Sequence, residues 1–198
     1  MERPFSQACD NNKKAILEVL KDYLNTANTV LEVGSGTGQH AAYFAQHLPH
    51  LIWQTSDQAE YLAGIRAWVE WAKLDNLREP QELDVRRNWP SAHVSAVFSA
   101  NTLHIMSWDT VATFIPKAAD MLAANGKLII YGPFNYNGAF TSDSNMHFDQ
   151  WLKNRDPASG IRDFEAVDRL AHNNNLVLLK DHPMPANNRT LIWQKLAS

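Results

Sequence analysis

Thr29-Val30-Leu31-Glu32-Val33-Gly34-Ser35-Gly36-Thr37-Gly38 decides how the rest of this chain is read. Val30, Leu31 and Val33 are apolar or β-branched, the composition of a strand buried on both faces. Three glycines follow at alternate positions, and a helical pattern starts at once. Strand, glycine loop, helix is how an open parallel sheet presents a nucleotide site. Glycine suits the loop because the turn is tight, φ can turn positive, and a ligand must approach the backbone with no Cβ in the way. The helix that starts here has unpaired N–H groups to offer.

The spacing narrows the ligand. A dinucleotide fingerprint needs its third small residue at position 39, but Gln39 stands there and the third glycine falls one residue early. Glu32 precedes the first glycine by two. This E-x-G-x-G-x-G pattern resembles motif I of the class I S-adenosylmethionine (SAM) methyltransferases. The resemblance implies SAM as cofactor, with its amino-acid end held by Glu32, Gly34, Ser35, Gly36 and Gly38.

Outward from the loop, Ala41, Ala42, Phe44, Ala45 and Leu48 make an amphipathic helix stopped by Pro49. Leu51 to Asp57 reads as strand two. Asp57 lies 19 residues past Gly38, where an acid at a strand tip can accept hydrogen bonds from both ribose hydroxyls. NAD and SAM share that ribose, so Asp57 does not separate them. Tyr61 to Leu74 reads as a helix. Pro80 is expected to open a short strand, Gln81 to Val85. The methyltransferase resemblance implies adenine contacts from Asp84 and from the N–H of Val85. Trp89-Pro90 reads as a turn. Val94 to Ala100 is strand four, ending in Asn101-Thr102-Leu103-His104, so Asn101 and His104 face the ligand end of the sheet. His104 is the candidate general base, its free pKa lying near neutrality.

Asp109 is expected to cap a helix through Val111, Phe114, Ile115, Ala118, Met121 and Leu122, with Pro116 kinking or splitting it. Asn125-Gly126 reads as a helix stop, and Lys127 to Tyr131 as strand five. Phe134 to Ile161 is polar and reads as a lid or substrate loop holding one short helix near Phe148 to Asn154. Asp163 caps a helix through Phe164, Val167, Leu170 and Ala171. Leu176 to Lys180 and Thr190 to Lys195 are the last two strands. The link between them is too short for a helix crossover, so they run antiparallel. The fold class is therefore α/β, a Rossmann-like seven-stranded, mostly parallel sheet with an antiparallel last strand and helices on both faces. That terminal hairpin again resembles the class I methyltransferases and argues against an NAD-type oxidoreductase.

Before strand one, Asp10, Asn11 and Asn12 suit an N-cap, and Ile16, Leu17, Leu20, Tyr23 and Leu24 recur at helical spacing. Residues 1–28 read as a cap helix on a single domain, 1–198, and 134–162 as the lid. Asn12-Lys13, Arg155-Asp156-Pro157, Gly160-Ile161-Arg162-Asp163 and Pro185-Ala186-Asn187-Asn188 resemble an uncharacterised methyltransferase-like family found in bacteria and animals. The resemblance suggests substrate contacts from Asn12, Asp156, Arg162, Asp163, Asn187 and Asn188, and Tyr136 is a further substrate candidate. The plainer reading is that Arg162 and the aspartates tie the long loop down and the asparagines fill turns. Trp108, Phe134 and Tyr136 are candidates to face a sulfonium.

The formal charge of −3 over 198 residues supplies no field to attract nucleic acid. Cys9 is the single cysteine, which excludes an internal disulfide and points to a reduced, cytoplasmic setting. No apolar run reaches membrane length, so no span is expected. His147 and Asp149 offer an alternative base, but two ligands are too few for a metal site. The partner expected is a small-molecule acceptor. The alternatives are a SAM-binding protein without transferase activity and the NAD-type oxidoreductase.

Overall fold

A computed structural model describes residues 2–87 and 89–197. The elements run α1 (Gln7–Tyr23), β1 (Thr29–Val33), α2 (Gln39–His47), β2 (Ile52–Asp57), α3 (Leu62–Ala72), β3 (Leu77–Glu82), β4 (Val94–Ala100), α4 (Trp108–Met121), β5 (Leu122–Gly132), β6 (Phe134–Asn135), α5 (Asp143–Arg155), β7 (Arg162–Asp163), α6 (Phe164–His172), β8 (Leu176–Met184) and β9 (Asn188–Lys195). Seven strands form one sheet in the order β3-β2-β1-β4-β5-β9-β8. The pairings from β3 to β5 are parallel, and β9 runs antiparallel to both of its neighbours. Its direction follows from the link to β8, a single 3-10 turn at Pro185–Asn187, which can only reverse the chain.

Alternation along the central strands builds two cores. Leu31, Val33, Val97, Leu128, Ile130, Leu191 and Trp193 face α4 and α6, where they meet Val111, Phe114, Ile115 and Val167. Val30, Phe98, Ile129 and Ile192 face α1 and α2, where they meet Ile16, Leu20 and Phe44, with Trp68 and Val69 of α3 packed alongside. Strands apolar on both faces need helices on both sides of the sheet.

Several boundaries differ from the sequence reading, each for an identifiable reason. Ser6 caps α1, accepting from the Cys9 N–H, so the helix starts before the asparagines and carries Asn12 into its buried face. β3 lies earlier than expected and contains Pro80; the edge of a sheet tolerates a residue with no N–H. Asp84 and Val85 consequently sit in the turn beyond it. Ser107, not Asp109, caps α4. Pro116 lies within one continuous helix, where burial of Phe114, Ile115 and Ala118 outweighs the roughly 3 kcal/mol a proline costs there. Asn125 lies inside β5 at φ 63°, and the register against β4 shifts between Val94 and Ala96. The polar stretch after β5 holds a helix of 13 residues, α5, where a short one was expected. Among the described residues, no helix is long and apolar enough to cross a membrane.

Candidate active site

Strand order reverses at β1: the chain steps outward through β2 and β3, then returns to lay β4 on the other side of β1. A crevice opens beyond the carboxyl ends of two strands whose connections leave in opposite directions, and open α/β sheets bind ligands there. The glycine loop leaves β1 at that crevice, and Asn101 to His104 leave β4 beside it. Contact between the two is close. A Cβ on Gly34 would lie 2.8 Å from the Thr102 side chain.

Each glycine has its own reason to be one. Gly38, at φ 86°, begins α2, and a Cβ there would sit 2.9 Å from the Ile65 Cα of α3. Gly36, at φ 56°, has nothing within 4 Å of that position. Its bare face is a cradle that a side chain would fill.

Beneath the loop, hydrogen bonds bind β1 to β2. Ser56 O accepts from the N–H groups of Gly34 and Ser35, both at 3.0 Å. Glu32 is buried, and one of its carboxyl oxygens accepts from Ser35 Oγ at 2.9 Å and from Trp53 Nε1 at 3.2 Å. Burial pushes the Glu32 carboxyl up to about 7, against the pull of those two donors. Glu32 thus shapes the loop from below.

Asp57 stands at the tip of β2 as expected. Its Oδ2 accepts from Gly36 N and its Oδ1 from Gln58 N, each at 2.7 Å. A carboxylate has about four lone-pair sites, so two remain for a ligand, the number a ribose diol needs. Asp84 lies past β3 with its carboxylate held by Arg86 and Arg87; Val85 is buried beside it. Asn101, at φ 57°, donates its N–H to Tyr131 O.

His104 is buried in the loop after β4, its ring edge-on to Phe148 of α5 at 5.2 Å. Burial, helped by the Arg162 charge, holds its imidazole down to about 4. The ring is therefore neutral at physiological pH, with one nitrogen lone pair free but less basic than a free imidazole's. The titratable pair makes opposite contributions to stability. Glu32 is raised in the fold, so between its ordinary 4.5 and about 7 the native state keeps a proton the unfolded chain has lost, and stability falls as pH rises through that window. His104 is depressed, so its contribution is present above 6.5 and is lost as pH falls from there toward 4. Glu32→Gln is expected to raise the urea midpoint at pH 8, by about 3 kcal/mol in stability, and to leave it unchanged at pH 4.5. Equal shifts at both pH values would contradict this assignment.

The substrate candidates separate. Asn12 meets His40 Nε2 at 2.6 Å, tying α1 to the first turn of α2. The Tyr136 hydroxyl donates to Asp181 at 2.6 Å while its ring stacks on Phe164. Arg162 spends its guanidinium on the carbonyls of Leu103, Met106 and Ala158, which ties the loop bearing His104 to the segment after α5. Asn187 donates to Ser144, and Asn188 to the carbonyls of Pro185 and Ala186. Asp156 caps the turn at Ala158, and Asp163 begins α6 without a side-chain cap bond. Phe134 belongs to the core on the α4 and α6 side. Asp149 accepts from Ile161 N at 2.7 Å and pairs with Lys153, whereas His147 is exposed.

Two further features are visible only in the fold. One is a stripe on α5, Phe148, Trp151 and Arg155, spaced so that one helix face carries all three. Phe148 stacks on Trp151 at 5.8 Å, and Arg155 lies 4.7 Å over the Trp151 ring. At the far end, the Arg155 charge acts on Tyr61, whose phenol is pushed up chiefly by burial. α5 packs beside the loop that follows β4, Phe148 against His104. The other is the N-terminal segment: Arg3 stacks on Trp68 and Trp71 at 4.6 and 4.0 Å, Trp68 Nε1 donates to Pro4 O, and Ser6 N donates to Gln39 Oε1. Two surface cavities, of about 600 and 190 Å³, lie elsewhere, lined respectively by residues such as Arg78 and Pro80 and by Ser95 and Lys127.

The fold is similar to that of several solved methyltransferases. An O-methyltransferase family protein from Burkholderia thailandensis matches with a TM-score of 0.84 at 16% identity, covering 94% of this chain and 57% of that one. An O-methyltransferase family 2 protein from Planctomyces limnophilus, in complex with apigenin, matches at 0.83 and 17% over 94% and 58%. Human N-acetylserotonin methyltransferase in complex with SAM matches at 0.70 and 14% over 93% and 55%. This chain thus spans a little over half the length of these neighbours, and identities this low establish the fold alone. By sequence, residues 3–195 match the family model described as a protein of unknown function, DUF938, and the chain belongs to that family.

Proposed function

We propose that this chain binds SAM across the glycine loop and Asp57 and transfers its methyl group to a small-molecule acceptor. One observation carries the reading: the Asp57 carboxylate grips the N–H of the bare-faced Gly36 and keeps two acceptor sites free, at the switch point of the sheet. The cradle fits an adenosyl group approached by backbone, and Glu32, Ser35 and Gly38 hold it in shape. SAM, when bound, supplies an activated methyl on a sulfonium for in-line displacement. The chain's part is then to align the acceptor and exclude water. α5, packed against His104 through Phe148, serves as that cover. His104, neutral and at the tip of β4, takes the proton of an acceptor that must lose one. The apigenin complex of a similar fold supports a small acceptor here.

Incubating the protein with methyl-labelled SAM and a metabolite extract tests the transfer. Label is expected in a small molecule, with His104→Gln lowering the rate at least tenfold while SAM affinity stays within about twofold. SAM binding with no labelled product would leave a binder without transferase activity.

A further inference from the structure

Polar side chains buried in a protein almost always find a partner, and an exception calls for an explanation. Asn135 is such an exception. The residue is 9% exposed, its Nδ2 makes only a long 3.5 Å contact with Ile161 O, and its Oδ1 has no partner. It sits three residues past Gly132, at the end of β5, the strand next to β4. Gly132 in turn borders the candidate base: a Cβ there would lie 3.7 Å from His104 Nδ1. Asp149 of α5 holds the same residue, Ile161, by accepting from its N–H. The orphaned oxygen therefore lies buried in the region where the tips of β4 and β5 meet α5, close to His104.

An unused acceptor costs folding free energy whenever nothing donates to it. Such costs are retained at sites that a ligand completes. Given SAM-dependent transfer as proposed above, we infer that Asn135 Oδ1 accepts a hydrogen bond from the methyl acceptor. The molecule methylated accordingly carries a hydroxyl or amine donor in addition to the atom that receives the methyl group. His104 and Asn135 then read two different groups of one small polar molecule, with the edge of Phe148 beside the first.

Asn135→Leu, close in volume and unable to accept, tests this on three readouts. Its thermal midpoint is expected to equal or exceed that of the wild type; a fall of more than about 5 °C, beyond the roughly 2–4 °C that 1 kcal/mol shifts in a domain this size, would show that Oδ1 is paired structurally and overturn the inference. S-adenosylhomocysteine affinity, by calorimetry, is expected to stay within about twofold. Labelling of a metabolite extract by methyl-labelled SAM is expected to fall at least tenfold, and undiminished labelling would overturn the inference while leaving the transfer intact. Mass spectrometry of the product should find a free hydroxyl or N–H besides the new methyl; a product with neither overturns it too. Should the wild type fail to bind S-adenosylhomocysteine, the functional reading falls, and the thermal midpoint still decides whether Oδ1 is unpaired.

Discussion

Asp57→Ala is expected to weaken S-adenosylhomocysteine binding by a hundredfold or more. Hydrogen bonds to an ionised group contribute about 1.5–3 kcal/mol each, and the proposed site uses two, one to each ribose hydroxyl. Two such bonds correspond to at least about two decades in Kd. The substitution also frees the Gly36 N–H, now held at 2.7 Å, and so loosens the cradle. Asp57→Asn, which keeps an accepting oxygen but no charge, should lose about tenfold. Calorimetric titration checks both, and an alanine variant within threefold of the wild type would remove Asp57 from the site.

The second large effect separates two glycines that look alike in the sequence. Gly38→Ala places a methyl 2.9 Å from backbone Ile65 at φ 86°, where neither the helix nor the loop can yield cheaply. Backbone strain of about 1–3 kcal/mol adds to that overlap, so a loss of at least about 3 kcal/mol is expected, or roughly 6–12 °C in the thermal midpoint. Gly36→Ala meets no neighbour and incurs only the left-handed strain of about 1–2 kcal/mol. Its methyl instead occupies the open side of the loop. The expected pattern is a fold largely kept and S-adenosylhomocysteine affinity reduced more than tenfold. If Gly36→Ala bound the ligand normally, the open face would not be the ligand face.

How far the sequence revealed this site depends on which signals reach the chain as pattern. The β1 strand, the glycine loop and Asp57 were legible because each is a local requirement: an apolar run for a strand covered on both faces, and glycines where φ turns positive. The antiparallel hairpin was legible from the length of one connection. Of α5 only the later part, Phe148 to Asn154, was, because its buried face is Asn145, Asp149 and Leu152, two polar residues in three, so hydropathy shows no stripe. Only the Ser142 cap, accepting from Asn145 N, marks its start, and that serine lies among other turn-forming residues. Asn135 was hidden the same way, one asparagine in a stretch rich in them, its significance set by what fails to contact it. Asn12 was singled out as a pocket residue and proves to be buried against His40, a link between α1 and the loop helix that only the third dimension shows. Arg162 had two readings of equal standing, and its three carbonyl partners favour the one in which it ties the loop down.

In the proposed site the loop from Gly34 to Gly38 and the Asp57 carboxylate together hold an adenosyl cofactor of the SAM type. Isothermal titration of the purified chain with S-adenosylhomocysteine, and separately with NAD, tests it most directly. A saturable isotherm near one molecule per chain for S-adenosylhomocysteine, abolished by Asp57→Ala, with no heat from NAD, is the predicted result. Saturation by NAD and none by S-adenosylhomocysteine would contradict it.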